Sequence, residues 1–242
     1  MWYMKRNEKY NYVKASRSTE HGTRHYNVDG TKLPSVTAIL DKTKDKSFLD
    51  KWRAKVGDEE AERIKNHSSR RGTAMHKFIE SHVEGIGYDD LTTIGQEAKP
   101  MAQKIIEVGL TPVEEYYGSE VMLHYPGLYA GSTDFVCLHN GLETIVDFKQ
   151  SNRPKKEEWI EDYYLQISAY AMAHDHVYGS KIRQGVIMMC TPDLYYQEFK
   201  IQDADLRAWK HKFLKRLDMY HELKHSEKEQ ANVQIVAEDF GK

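Results

Sequence analysis

The sequence predicts a mixed α/β domain, a central sheet flanked by helices. Three observations predict it. Asn140-Gly141 separates two runs of strand character, 131–138 and 142–149, and an Asn-Gly pair is a strong two-residue hairpin signal because both positions tolerate positive φ. Apolar groups lie on both faces of that hairpin, Val136 and Ile145 on one, Phe135, Cys137, Val146 and Phe148 on the other, so the strands need cover on both sides. Segments of helical character stand before and after it, at 58–83 and 154–176, where that cover can come from.

Taken in order, residues 1–22 are polar and read as an extended arm. Asp29-Gly30 turns a hairpin between 23–28 and 31–33. Ser35 is a good N-cap for a short helix from Val36 to about Leu40, and 47–56 forms a second. Asp58 caps a longer helix with acids in its first turn, as the helix dipole favours, reaching about Val83 with a break near Ser68-Ser69. A Gly-containing loop, 85–95, leads to a helix over 96–108 that ends at Gly109. Strands follow at 114–125, 128–138 and 142–149, then the helix 154–176, strands 183–190 and 195–201, and a last helix over 204–224. The residues from 226 are charged and read as a tail prone to disorder.

Composition bounds the function. The chain has 242 residues, 40% of them hydrophobic, enough for a real core, and its net charge of −2 advertises neither nucleic acid nor membrane. The charge is uneven, however: 42–77 holds eleven Lys and Arg against six Asp and Glu, either a solvated helical face or a phosphate-binding patch. Two cysteines, Cys137 and Cys190, sit in apolar strands as buried thiols of a reducing compartment and cannot by themselves build a four-cysteine zinc or iron–sulfur site. No apolar run reaches membrane-spanning length and the N-terminus lacks a secretory signal, so a cytoplasmic location in a bacterium or a phage-infected host is expected.

The hairpin carries the chemistry. A two-residue turn sets His139 opposite Leu142, and stepping outward brings Asp134 opposite Asp147. Lys149, two residues on, points to the same face. Facing carboxylates repel, so a cation between them is the natural reason to keep them. Mg²⁺ or Mn²⁺ suits oxygen ligands, can orient a phosphodiester and can lower the pKa of a bound water. The bland alternative is an ion pair of Lys149 with either aspartate beside one solvated carboxylate.

Two further constellations flank it. Gly72, His76 and Glu80 share one helical face, where His76 and Glu80 could reach a metal or simply form a polar stripe. Tyr163, Gln166 and Tyr170 share a face of the helix after Lys149, where Gln166 could hold a water or phosphate oxygen and Tyr170 could meet nucleic acid or stay in the core.

In this order, the G-x-x-x-H of Gly72–His76, Asp134 in Gly131-Ser132-Thr133-Asp134, the D-x-K of Asp147–Lys149 and the Q-x-x-x-Y of Gln166–Tyr170 resemble the PD-(D/E)XK nucleases of the RecB-like exonuclease group. The stretch from Leu33 to Leu40 with Lys51-Trp52-Arg53 is similar to the N-terminal part of the mitochondrial genome maintenance exonucleases and their phage relatives. The resemblance implies a restriction-endonuclease-like αβββαβ core and a Mg²⁺- or Mn²⁺-dependent DNA exonuclease acting on single strands or ends, with one or two ions and no iron–sulfur cluster. It implies Asp134, Asp147, Lys149 and Gln166 as catalytic residues and His76, Asp134 and Asp147 as metal ligands, with Glu80 as a further candidate and Glu62 as its alternative. Ser35, Thr37, Arg53, Arg71 and Tyr170 become the candidates for binding substrate. Ser132-Thr133 stand where the family name has proline.

One domain over 1–225 is expected: arm, hairpin and strand-guiding helices over 1–69, catalytic core over 70–201, closing helix over 202–225, then the tail 226–242. DNA is the expected partner, in phage recombination, repair or genome degradation. The competing readings are an endonuclease of the same superfamily, a non-catalytic nucleic-acid- or partner-binding protein on the same fold, and a metal-dependent phosphomonoesterase.

Overall fold

The computed structural model describes residues 4–13, 16–20 and 23–240. The parts of the predicted arm and tail at 1–3, 14–15, 21–22 and 241–242 lie outside them. The central sheet has six strands in the order β1 (Lys5–Arg6), β5 (Val113–Tyr125), β6 (Tyr129–His139), β7 (Leu142–Gln150), β8 (Gln184–Cys190) and β9 (Tyr196–Gln202). It is mixed: β5, β6 and β7 form an antiparallel meander, β8 runs parallel to β7, β9 antiparallel to β8, and β1 parallel to β5. The parallel β7–β8 pair requires a crossover, and α5 (Glu161–Tyr178) supplies it.

Each face of the sheet builds its own core, as the two-sided apolar pattern of the hairpin requires. Val136 and Ile145 pack with α1 (Val36–Thr43), α5 and α6 (Asp203–Phe240), through Ile39, Leu165 and Phe213 among others. Phe135, Cys137, Val146 and Phe148 pack against α3 (Asp58–Val83) and α4 (Thr93–Lys104), through Met75, Ile79 and Met101. Both cysteines are free and buried, where desolvation raises their thiols.

Several elements differ from expectation. The N-terminal arm is partly strand: β1 joins the main sheet, and β2 (Ser16–Glu20) completes a small antiparallel sheet with β3 (Thr23–Val28) and β4 (Thr31–Pro34). Tyr10 and Tyr12 anchor the arm on α5, ringed around His174. α3 passes through Ser68-Ser69 unbroken, and Gln150 at the end of β7 and Asn152 just beyond it hydrogen-bond Ser68 from outside. Gly57, at φ 88°, takes the N-cap position and Asp58 is the first helical residue. α4 starts earlier, with Thr92 capping the Gly95 amide, and passes into a π-helical turn over Ile105–Gly109. α6 runs on through 226–240, so that part of the expected tail is helical.

Ser35 caps α1 as expected, its Oγ accepting the Ala38 amide at 3.0 Å. α2 (Ser47–Val56) buries none of its residues and leaves Phe48 77% exposed, so it stands out from the core beside the first turns of α3. Much of the positive charge of 42–77 is answered locally: Lys44 by Asp162, Lys46 by Asp41, Arg53 by Asp58 and Glu62, Arg63 by Glu60. No helix among the described residues is long and apolar enough to cross a membrane.

Candidate active site

The Asn140-Gly141 turn sets the register the sequence implies: His139 pairs with Leu142 and the ladder runs to Phe135↔Val146. Asp134 and Asp147 are the next pair, and there the ladder opens. The Asp134 side chain takes over as acceptor, with Oδ2 receiving the Phe148 amide at 2.6 Å. Opening the strands at this point turns both carboxylates into a cleft of about 1080 Å³, which His76, Lys149 and Gln166 also line.

Asp147 is 1% exposed. Its Oδ1 accepts from Gln166 Nε2 at 3.3 Å. Its Oδ2 lies 2.5 Å from Lys149 Nζ, in an ion pair. Burial, with Asp134 adding to it, pushes the Asp147 carboxyl above the ordinary range against the pull of Lys149. Burial acts the same way on Asp134, but His76, Lys149 and the Phe148 amide together outweigh it and that carboxyl is held low.

His76, from the middle of α3, places Nδ1 3.4 Å from Asp134 Oδ1. Burial disfavours the imidazolium, yet Asp134 more than offsets this and raises His76 to about 9. Lys149 follows the same balance: desolvation opposes its charge, and Asp147 and Asp134 together outweigh it and raise the pKa. Lys149 is therefore an ammonium, 5.0 Å from the centroid of the Tyr163 ring.

The continuity of α3 puts Gly72, His76 and Glu80 on one wall of the cleft, though Glu80 is engaged by Lys77 at 2.9 Å. Glu62, its alternative, is occupied by Arg53 and Lys65 and does not line the cleft. Ser35 and Thr37 do line it, their hydroxyls 3.1 Å apart.

Arg53 and Arg71 do not line the cleft. Arg53 is held on α2 and α3 by Asp58 and Glu62. Arg71 is 4% exposed because it turns inward to donate to Gln150 Oε1, at 2.7 Å from Nη2, and to Asn152. It fastens α3 to the end of β7, while Arg70 and Arg24 line the cleft instead.

Tyr170 is 2% exposed, a core ring whose hydroxyl accepts from Gln166 at 3.3 Å. Gly131 makes room for it: a Cβ there would lie 2.6 Å from Tyr170 Cε1.

Glu120 escaped the sequence reading. In the β5–β6 ladder Ser119 pairs with Phe135 and Val121 with Thr133, which sets Glu120 opposite Asp134. The signal was available, since Pro126-Gly127 marks the turn between these strands as Asn140-Gly141 marks the next. Three acids thus stand abreast on β5, β6 and β7.

This donor set fits a hard divalent cation. It offers carboxylate oxygens from Asp134, Asp147 and Glu120 and one imidazole, from His76, the donor chemistry such an ion takes. Ligand atoms of His76, Glu120 and Asp134 lie within 4.8 Å of one another.

A D-x-K element at the open end of a central hairpin, faced by a G-x-x-x-H helix and supported by glutamine from the crossover helix, is consistent with a PD-(D/E)XK nuclease. Known proteins similar to the chain include exonucleases. The chain is 28% identical over 207 residues to mitochondrial genome maintenance exonuclease 1 of Mus musculus and 26% identical over 211 residues to that of Homo sapiens. The matches cover 78% and 79% of this chain but 59% of each relative, so the chain spans somewhat over half the length of the curated relatives it matches. Among solved structures, a proposed exonuclease of Eubacterium rectale is similar with a TM-score of 0.46 at 14% identity, over 63% of this chain and 64% of that one. The alkaline exonuclease LHK-Exo of Laribacter hongkongensis, solved with dAMP, follows at 0.37 and 15% identity, over 68% of this chain and 85% of that one. No family model matches the chain.

Proposed function

We propose that this chain is a Mg²⁺- or Mn²⁺-dependent deoxyribonuclease that hydrolyses phosphodiester bonds as an exonuclease on single-stranded DNA or DNA ends. One observation carries the reading: two carboxylates, the half-buried Asp134 and the fully buried Asp147, share a cleft with a charged lysine and a histidine. The names of the curated relatives supply the exonuclease preference.

Asp134, Asp147 and His76 are the residues that would hold the ion, with Glu80 farther along the same wall. When bound, a divalent ion supplies Lewis-acid stabilisation of a phosphoryl oxygen and a more acidic water. Lys149 acts as a cation: its raised pKa suits it to stabilise charge developing on the phosphate and to orient the attacking water, not to take its proton. Gln166 holds Asp147 Oδ1 and is itself braced by Tyr170, which fixes the carboxylate that faces Lys149. The hydroxyls of Ser35 and Thr37 and the guanidinium groups of Arg24 and Arg70 line the same cleft and suit the neighbouring phosphates.

The test is incubation of end-labelled linear single-stranded DNA, blunt duplex and circular single strands with Mg²⁺ or Mn²⁺, with and without chelator. The expected result is metal-dependent degradation of linear substrate, circles left intact, and a loss on the order of 100-fold or more in Asp147→Asn. Undiminished cleavage by that variant refutes the assignment of the site.

A further inference from the structure

The acid row extends one strand farther than the D-x-K hairpin accounts for. Glu120 faces Asp134 from β5 as Asp147 faces it from β7, and carboxylates directly opposite one another destabilise a sheet. The chain also holds Glu120 at φ 50°, in the left-handed region that a glutamate enters only at a cost. Just before it, between Tyr116 and Gly118, the β5–β6 register shifts by a bulge. That shift lies beyond Glu120; from the turn the register runs unshifted from Tyr125↔Tyr129 to Ser119↔Phe135, which puts Glu120 across from Asp134. Strained backbone and repulsion thus meet at one side chain that lines the cleft.

The cations already present do not answer it. Lys149 is spent on Asp147, at 2.5 Å, and His76 on Asp134, at 3.4 Å. Lys77, the remaining lysine on that wall, pairs with Glu80. Ser132 Oγ is the hydrogen-bond donor to Glu120, at a long 3.4 Å.

We propose that Glu120 is a divalent-cation ligand, completing with His76 and Asp134 a cation position on the β5 side of Asp134, away from the Asp147–Lys149 pair. The proposal rests on the metal-dependent reading of this cleft and adds to it a ligand outside the D-x-K and G-x-x-x-H elements. The three residues are already gathered, with their ligand atoms within 4.8 Å of one another, whereas Asp147 is turned toward Lys149 and Gln166.

The experiment is calorimetric titration of the metal-free full chain with MnCl₂, together with thermal unfolding with and without Mn²⁺, for the native protein and for Glu120→Gln, Glu80→Gln and Asp134→Asn. Glu120→Gln should raise the Mn²⁺ dissociation constant at least tenfold and shrink the Mn²⁺-induced rise in Tm. In the absence of metal it should melt no lower than the native chain, because the change removes repulsion. Glu80→Gln should bind within twofold of native. Mn²⁺ binding by Glu120→Gln within twofold of native, with binding lost in Asp134→Asn, overturns the role of Glu120 and leaves the metal centre standing. Native-like binding by both overturns the metal centre itself. Should Glu120→Gln not fold, Glu120→Ala, which removes the carboxylate, decides by the same titration: a dissociation constant unchanged from native counts against the proposal.

Discussion

Replacing Gly131 by alanine tests whether the packing behind the site sets its geometry. The added Cβ would stand 2.6 Å from Tyr170 Cε1 and 3.0 Å from its hydroxyl oxygen. That is about 0.8 Å short of ordinary contact. Tyr170 has little room to retreat, since it is 2% exposed and packed into the core shared by α5 and α6. Overpacking of this kind costs about 1–3 kcal/mol. The displaced ring carries the hydroxyl that braces Gln166, and Gln166 in turn holds Asp147 Oδ1. A shift approaching 1 Å in such a chain lowers kcat on the order of 10- to 100-fold. Urea unfolding and a single-turnover assay on labelled DNA read the two effects separately. Adding Tyr170→Phe to Gly131→Ala should not restore stability, because the closest clash is with the ring carbon and not the hydroxyl. A Gly131→Ala variant with native urea midpoint and native turnover refutes the reasoning.

Other consequences follow from the buried charges. His174 is fully buried, with Nε2 3.0 Å from the Tyr12 hydroxyl and Nδ1 2.7 Å from Ser180 Oγ, and burial lowers its pKa from 6.5 to about 4. The unfolded chain then binds a proton between these values that the folded chain refuses, so this stability is intact above pH 6.5 and is lost as the pH falls toward 4. The loss from this group between pH 8 and pH 5 is roughly 2 kcal/mol. Denaturant melts at the two pH values should show it as the excess acid lability of the native chain over His174→Gln, and equal slopes in both proteins contradict it. Lys149→Met should abolish cleavage and strip Asp147 of its counter-charge, at a cost of about 3 kcal/mol when the carboxyl is ionised. Because that carboxyl is already raised, the deficit should be larger at pH 8 than at pH 5, which paired melts of variant and native chain would reveal.

Local chemistry was legible in the sequence wherever a turn or a cap settles it. Asn140-Gly141 dictated the β6–β7 register as far as Phe135↔Val146, one step from the two aspartates, and Ser35 announced the start of α1. The two-faced apolar pattern of the hairpin predicted helices on both sides, and the separate cores around Ile145 and Val146 bear this out. What escaped notice depends on partners distant in sequence. Arg71 looks like a surface arginine until Gln150 and Asn152, some eighty residues on, supply its acceptors. Lys5 and Arg6 become a strand only because the edge of β5 is there to pair with. Ser68-Ser69 resembles a helix break, but α3 continues, with Gln150 and Asn152, some eighty residues on, bonded to Ser68 from outside. Glu120 is a different case. The Pro126-Gly127 turn carried its position, but the bulge upstream and the left-handed backbone at Glu120 show only in the fold.

The most direct measurement is anomalous diffraction from a crystal soaked in Mn²⁺. A peak within ligand distance of an Asp134 carboxylate oxygen, with Glu120, His76 or Asp147 completing the shell, is the predicted result. Density showing Asp134 and Asp147 paired only with His76 and Lys149, and no anomalous signal in the cleft at saturating Mn²⁺, would contradict the account.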